Sequence, residues 1–154
     1  MRNLLIVLIL LFTGNVFSLG RIVSYEEMQA NLFGSIQSIE TCGSWNLDDS
    51  FGEFRLTKVY YSGQDMLFVD LVTLANGNSE LKVQHGFSFS EINNDHAEIG
   101  LDDISCNIIT ENVIQIDASA TNGHSGEKYK VSIVIDAKSK TYEYKDTITN
   151  KKNL

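Results

Sequence analysis

The sequence predicts an all-β protein, an antiparallel β-barrel or β-sandwich of about eight or nine strands with one short N-terminal helix. Three observations predict it. From Gly43 onward apolar and polar residues alternate, which is the periodicity of strands that bury one face. Clusters of Gly, Asn and Asp interrupt the alternation about every eight to twelve residues, as turns do in antiparallel sheets. The chain has no proline, so every strand residue keeps the backbone N–H that a ladder requires.

The length and composition indicate one ordinary domain. The chain has 154 residues, of which 43% are hydrophobic and 21% are charged. These values argue against a multidomain enzyme, a collagen-like repeat and a disordered acidic tail.

The first 18 residues have the pattern of a signal peptide. A short positive segment precedes nine apolar residues, Leu4 to Phe12, and small residues follow up to Ser18. Nine apolar residues are too few to cross a bilayer core, which needs about 20. We therefore expect cleavage after Ser18, or else after Gly20. Residues 19–154 would then form a single domain that is secreted or periplasmic.

Acidic residues dominate the expected mature chain. Removal of residues 1–18 leaves 11 bases and 20 acids, a net charge of −9. Residues 19–120 hold four bases and 16 acids, whereas residues 121–154 hold seven bases and four acids. An acidic body repels phosphate and anionic lipid, so we expect neither nucleic acid nor, after signal cleavage, a membrane as a partner. The basic end either docks an acidic partner or neutralises the protein's own body.

Cys42 and Cys106 are the only cysteines in the chain. In an oxidising compartment two such thiols are expected to form a disulfide. On the chain-entropy account, closing a loop of that length stabilises the fold by about 4 kcal/mol. The alternative is a nucleophilic thiol or a metal ligand, although neither cysteine lies in a CxxC motif or beside a histidine.

One short helix is predicted before the strands. Ser24 to Glu27 form a capping box, in which the Ser24 hydroxyl accepts from the backbone of Glu27 and the Glu27 carboxylate reaches back. Apolar residues then recur at helical spacing before Gly34, which predicts a helix over 24–33. The predicted strands cover residues 44–47, 53–61, 66–74, 80–89, 97–101, 105–110, 113–118, 128–135 and 141–147.

Two turn motifs predict which strand residues lie opposite each other. A turn centred on Gly63-Gln64 places Thr57 opposite Asp70. An Asn76-Gly77 turn of type I′ brings His85 to the face of Asp70.

Four polar residues therefore share one otherwise apolar face: Arg55, Thr57, Asp70 and His85. An unpaired buried carboxylate costs several kcal/mol, so Asp70 needs partners, and Arg55 and His85 lie diagonal to it. In the structural interpretation, these residues form an internal salt bridge that only fixes the register of the strands. In the functional interpretation the group is the polar floor of a cavity, where a few polar groups orient a mostly apolar ligand.

The strand that carries Asp70 is apolar on its second face too, through Leu67, Val69 and Leu71. That face needs a cover, and we expect the N-terminal helix to supply it. Asp70 would then lie on the cavity or inter-sheet side. In the inverted arrangement, the polar residues would lie under the helix.

The motif Gly43-Ser44-Trp45, which follows a short helix and leads a meander of antiparallel strands, resembles the opening of the lipocalins and related ligand-carrying barrels. The resemblance implies that the Trp packs across a barrel floor. It covers three residues and the general layout, and the chain departs from it because no C-terminal helix is predicted. Core packing also explains a glycine followed by a strand tryptophan, so the chain is not assigned to that family.

Other polar clusters give no metal or nucleotide motif. Asp48-Asp49, Asn93–His96 and Asp102-Asp103 lack the spacing of a calcium loop and are interpreted as solvated turns. No P-loop, dinucleotide fingerprint, HExxH or nucleophile elbow is present, so we predict no metal and no cofactor.

We therefore expect an exported protein that acts by non-catalytic binding of a small apolar ligand. A module that binds another exported protein, such as an inhibitor or adaptor, is the first alternative, and it would use Lys138 and Lys140 between the last two strands. A hydrolase is the second alternative, because Asp70 and His85 make half of a hydrolytic triad, although no Ser or Cys completes it.

Overall fold

The computed structural model describes residues 21–74, 81–94 and 98–149. The predicted signal peptide, the Asn76-Gly77 turn and the C-terminal tail lie outside the described residues. The described elements are one α-helix, α1 (Tyr25–Asn31), one short 3-10 turn (Phe33–Ser35) and eight strands. The strands are β1 (Ile36–Leu47), β2 (Ser50–Tyr61), β3 (Gln64–Leu74), β4 (Leu81–Ser88), β5 (Ile99–Thr110), β6 (Val113–Asn122), β7 (Lys128–Asp136) and β8 (Thr141–Ile148).

The predicted all-β class is confirmed, and its architecture is a sandwich. The strands form two four-stranded antiparallel sheets with orders β1-β2-β3-β4 (sheet 1) and β5-β6-β7-β8 (sheet 2). Within the described ranges the sheets do not close into a barrel. The core lies between them and is packed with large buried side chains, among them Trp45, Phe54, Leu67, Ile116 and Ile133.

The predicted disulfide is confirmed. It joins Cys42 on β1 to Cys106 on β5, with the two Cα atoms 5.6 Å apart. Because β1 belongs to sheet 1 and β5 to sheet 2, the bond ties the two layers of the sandwich together.

The Ser24 half of the predicted capping box is confirmed, since the Ser24 hydroxyl accepts from the backbone N–H of Glu27 at 3.2 Å. The Glu27 carboxylate forms an ion pair with Arg21. The helix is short, and no helix in the described part of the chain has the length and apolarity to span a membrane.

Two strand boundaries differ from prediction because of bulges, where an extra residue breaks the alternation. The strands predicted at 97–101 and 105–110 are one strand, β5, whose register shifts between Asp102 and Ser105. Strand β1 extends back to Ile36, and its register shifts between Thr41 and Ser44 at Gly43, which adopts a φ of 104°.

The expected position of the helix was wrong, and the inverted arrangement is the observed one. Sheet 2 covers the face of β3 that carries Leu67, Val69 and Leu71. The helix packs on the opposite, outer face of sheet 1, where Met28 contacts a separate apolar cluster that includes Phe68. Both faces of β3 are apolar, so the sequence pattern of β3 alone did not decide which face packs against the helix and which against sheet 2.

The register of β2 against β3 differs from the prediction by two residues. Arg55 lies opposite Asp70, and Thr57 lies opposite Phe68. The turn is centred on Ser62-Gly63, whose φ angles of 53° and 85° are both positive, as a two-residue hairpin turn of type I′ requires. Because strand side chains alternate with a period of two, this shift leaves every residue on its predicted face.

Candidate functional site

The centre of the candidate site is an ion pair between neighbouring strands. Arg55 on β2 donates from Nε to Oδ1 of Asp70 on β3 at 2.9 Å, and its Nη2 donates to Oδ2. The Asp70 side chain is only 2% exposed, whereas that of Arg55 is 26% exposed. The carboxylate is therefore buried and paired in the two-pronged geometry that Arg favours, and the guanidinium reaches from the interior toward solvent.

Tyr25 of the helix completes the pairing of Asp70. Its hydroxyl donates to Oδ2 of Asp70, and it accepts a hydrogen bond from Nε2 of Gln29 at 3.2 Å. The ring lies against Gly86 of β4, where an added Cβ would come within 2.1 Å of a ring carbon. Only glycine leaves room for the ring at this position, so Gly86 positions Tyr25 over the carboxylate.

We call Tyr25, Arg55 and Asp70 the buried polar cluster. Burial, followed by the hydrogen bond to Asp70, raises the pKa of Tyr25 well above its usual value. The hydrogen bond to Asp70 also raises the pKa of Arg55. The phenol is therefore a neutral donor and the guanidinium a permanent cation at any physiological pH.

His85 does not join this cluster, contrary to the prediction. The register shifts between β3 and β4, so that Val83 lies opposite Val72 but His85 lies opposite Leu71. The extra residue, Gln84, turns the His85 side chain to the inner face, where its ring meets Phe87 edge-on with centroids 4.7 Å apart. The position beside Asp70 that His85 was expected to fill is occupied by Tyr25.

A hollow of about 180 Å³ opens beside the buried polar cluster. Its floor includes Arg55, Thr57 and Asp70, three of the four residues predicted for the site. Its apolar walls come from the helix, from the short turn after it and from β1: Met28, Phe33, Ile36 and Ile39. We call it the helix-side hollow.

The rim of the helix-side hollow is exposed and apolar. Phe33 is 78% exposed and Ile39 is 53% exposed. Thr57, by contrast, is buried at the floor, opposite Ile39 on β1. A guest would therefore meet apolar side chains at the mouth and polar groups below, the layout that orients a mostly apolar ligand.

The floor offers hydrogen-bond donors to a guest. A guanidinium carries five N–H groups, and the bonds to Asp70 leave further donors on Arg55. Because Asp70 already balances the charge of Arg55, the floor presents polarity without net charge.

The two lysines considered for protein binding lie elsewhere. Lys138 and Lys140 are exposed in the turn between β7 and β8, in sheet 2. The turn is shaped by Asp136, whose carboxylate accepts from the backbone N–H of Lys138 at 2.8 Å. The helix-side hollow lies on sheet 1, so these lysines are separate from it.

The sequence reasoning missed Tyr25 and Gly86. A glycine within an alternating strand often marks a close approach by another group, which was an available signal for Gly86. Tyr25 entered the sequence analysis only as one of the apolar residues at helical spacing, because the carboxylate that its hydroxyl binds is 45 positions away in the chain.

Comparison with family models, curated proteins and solved structures finds no significant match to this chain. The resemblance of Gly43-Ser44-Trp45 to the opening of the ligand-carrying barrels does not extend to the architecture. Trp45 is buried in the inter-sheet core and donates from Nε1 to the carbonyl oxygen of Glu53 at 3.1 Å.

Among the described residues, no cluster of three or more His, Cys, Asp and Glu side chains is placed to hold a metal ion. What the site offers chemically is shape, apolar walls and hydrogen-bond donors.

Proposed function

We propose that this is an exported, non-catalytic binding protein that holds a small, mostly apolar molecule in the helix-side hollow. The observation that carries the proposal is the partly exposed guanidinium of Arg55, anchored on Asp70 at the floor of an apolar-rimmed hollow. A purely structural ion pair needs no hollow beside it and no exposed apolar rim.

The size of the hollow limits the guest. A volume of about 180 Å³ equals roughly six water molecules at about 30 Å³ each. Drug-sized ligands occupy cavities of about 300 Å³ or more, so the guest is smaller, on the scale of a single ring or a short branched chain. One polar group on the guest would accept from Arg55 while its apolar part contacts Ile36 and Ile39.

Export is supported by the disulfide between Cys42 and Cys106, because such bonds persist in oxidising compartments. The leader-like pattern of residues 1–18 supports it independently. A secreted or periplasmic protein of this kind would meet its ligand outside the cytoplasm.

The test is to purify the protein from its own host and to analyse a solvent extract by mass spectrometry. Ile39→Asp places a charge on the apolar rim at an exposed position, so the fold is expected to persist. Ile109→Asp is a matched control, since Ile109 is also a strand isoleucine that is 53% exposed, but on β5. The proposal predicts a small molecule with the wild type and the control that is lost with Ile39→Asp; equal recovery from all three, or none from any, would contradict it.

A further inference from the structure

We propose that a second groove on the outer face of sheet 1 binds an organic cation that carries an apolar body. The groove has a volume of about 600 Å³ and takes lining residues from all four strands of the sheet. It begins two residue pairs beyond the Arg55–Asp70 pair, at Glu53 and Val72, which lie opposite each other on the same face. We call it the end groove; it is a separate site, and its occupancy does not depend on that of the helix-side hollow.

The apolar part of the end groove is formed by residues that a guest would bury. Phe51 is 72% exposed and Leu81 is 53% exposed, although both are large apolar side chains. Val72 lies buried between them at the floor. Covering exposed apolar surface in a concave site is favourable in proportion to the area removed from water, which gives an apolar guest its affinity.

The charge of the guest follows from Glu53. Of the described residues that line the groove, only Glu53 is charged. Its carboxylate accepts one long hydrogen bond, from the Thr41 hydroxyl at 3.4 Å. Lys82 lies on β4 opposite Thr73 and is not one of the residues that line the groove. Arg55 lies on the same face, two positions from Glu53 in β2, but its guanidinium is already paired with Asp70. A cation in the groove therefore has a carboxylate partner, and the charge of the neighbouring basic residue is balanced by its own ion pair.

Phe51 and Glu53 are placed to hold such a cation between them. They are two residues apart in β2, so their side chains point to the same face at a spacing of about 7 Å. An ammonium group at that point contacts the carboxylate on one side and the ring face on the other, which is a cation–π arrangement. Two neutral polar side chains of the groove are already paired: the Thr73 hydroxyl donates to the carbonyl oxygen of Phe51 at 2.6 Å, and Nδ2 of Asn46 donates to the Glu111 carboxylate at 3.1 Å.

The chain has a built-in reporter for this groove. Trp45 is the only tryptophan. Its side chain belongs to the inter-sheet core, but its ring lies against Gly52, and both residues contribute to the lining of the groove. Titration of the purified protein with octylammonium, octanol and octanoate, three probes with the same apolar chain, therefore reads occupancy through intrinsic tryptophan fluorescence. We expect saturable changes with octylammonium, with an affinity about threefold to tenfold higher than that of octanol, and the weakest binding with octanoate.

Two variants separate the contributions. Glu53→Gln keeps the side-chain size, and we expect it to lower the affinity for octylammonium to that of octanol. Phe51→Ala should weaken both probes, and octylammonium more than octanol, because it removes the ring that faces the ammonium group as well as apolar surface. Glu143→Gln on β8, 75% exposed, is the control. Unchanged octanol binding by Glu53→Gln shows that the groove remains folded. The proposal is overturned if octylammonium gives no saturable change, if octanoate binds as well, or if Glu53→Gln keeps the preference for the cation.

Discussion

The hydroxyl of Tyr25, on the helix, donates a hydrogen bond to the buried carboxylate of Asp70, on the third strand. These residues are 45 positions apart in the chain. The bond attaches α1, the one α-helix of the described residues, to the outer face of sheet 1 and completes the pairing that Arg55 begins. The buried polar cluster therefore both docks the helix and shapes the wall of the helix-side hollow.

The first prediction concerns that hydrogen bond. Tyr25→Phe removes the donor but keeps the ring against Gly86. Hydrogen bonds to charged groups contribute about 1.5–3 kcal/mol, so we expect the free energy of unfolding to fall by about that amount. Urea denaturation measures it, with Tyr61→Phe as the control because Tyr61 is exposed. Equal stability of the two variants would show that the bond does not anchor the helix.

The second prediction concerns the space that Gly86 leaves for the tyrosine ring. Gly86→Ala places a Cβ 2.1 Å from a ring carbon, so the helix must shift away from the sheet. Overpacking of this kind costs about 1–3 kcal/mol. Gly100→Ala on β5 is the control, since no atom lies within 4 Å of an added Cβ there. Thermal unfolding of the two variants distinguishes them, and a Gly86→Ala protein as stable as the control contradicts the packing described.

The outer-face residues were predictable because alternation survives an error of two residues in register. Arg55, Thr57 and Asp70 share a face whether the turn is centred on Gly63-Gln64 or on Ser62-Gly63. An error of one residue is different, because it moves every following side chain to the opposite face.

That one-residue error is why His85 was misplaced. The bulge at Gln84 sits within a strand whose apolar alternation continues unbroken through it, so the sequence carries no mark of the shift. The docking of Tyr25 on Asp70 was likewise beyond prediction, since it depends on which face of β3 the helix covers. Both faces are apolar, and only the presence of the second sheet decides between them.

The third prediction concerns pH. Burial, and then the nearby charge of Lys140, lowers the pKa of His85, while Glu26 acts in the opposite direction. Because the pKa of His85 is lower in the folded chain than in the unfolded chain, the unfolded chain takes up a proton at a higher pH than the folded chain does. The free energy of unfolding therefore falls as the pH drops below the pKa of a histidine in the unfolded chain, about 6.5. We expect His85→Gln to lose less stability than the wild type between about pH 7.5 and pH 5.5.

Urea midpoints of the wild type and of the His85→Gln variant, measured between about pH 7.5 and pH 5.5, test the predicted direction of this change in stability. Lys140→Gln removes the nearby positive charge that helps to lower the pKa of His85. We therefore expect it to reduce the loss of stability at low pH as well, but by less than His85→Gln does. A steeper loss of stability in His85→Gln than in the wild type would mean that the folded protein favours the charged imidazole.

The fourth prediction concerns the bond between the sheets. Replacing Cys42 and Cys106 by serine removes the cross-link between β1 and β5. Disulfides typically contribute about 2–4 kcal/mol, so we expect a cooperative but less stable fold. Thermal unfolding of the wild type with and without a reducing agent should reproduce the difference. A reduced wild type that unfolds at the same temperature as the oxidised protein would contradict a stabilising role.

The most direct test of the central claim is a methyl-group NMR titration of the protein with benzyl alcohol, a single-ring molecule with one hydroxyl. If the helix-side hollow binds such guests, the methyl signals of Ile36, Ile39 and Met28 shift together and reach saturation, whereas those of Ile109 stay in place. If these signals do not move, or if all methyl signals drift in proportion to the alcohol added, the hollow is not a binding site and the buried polar cluster serves only to dock the helix.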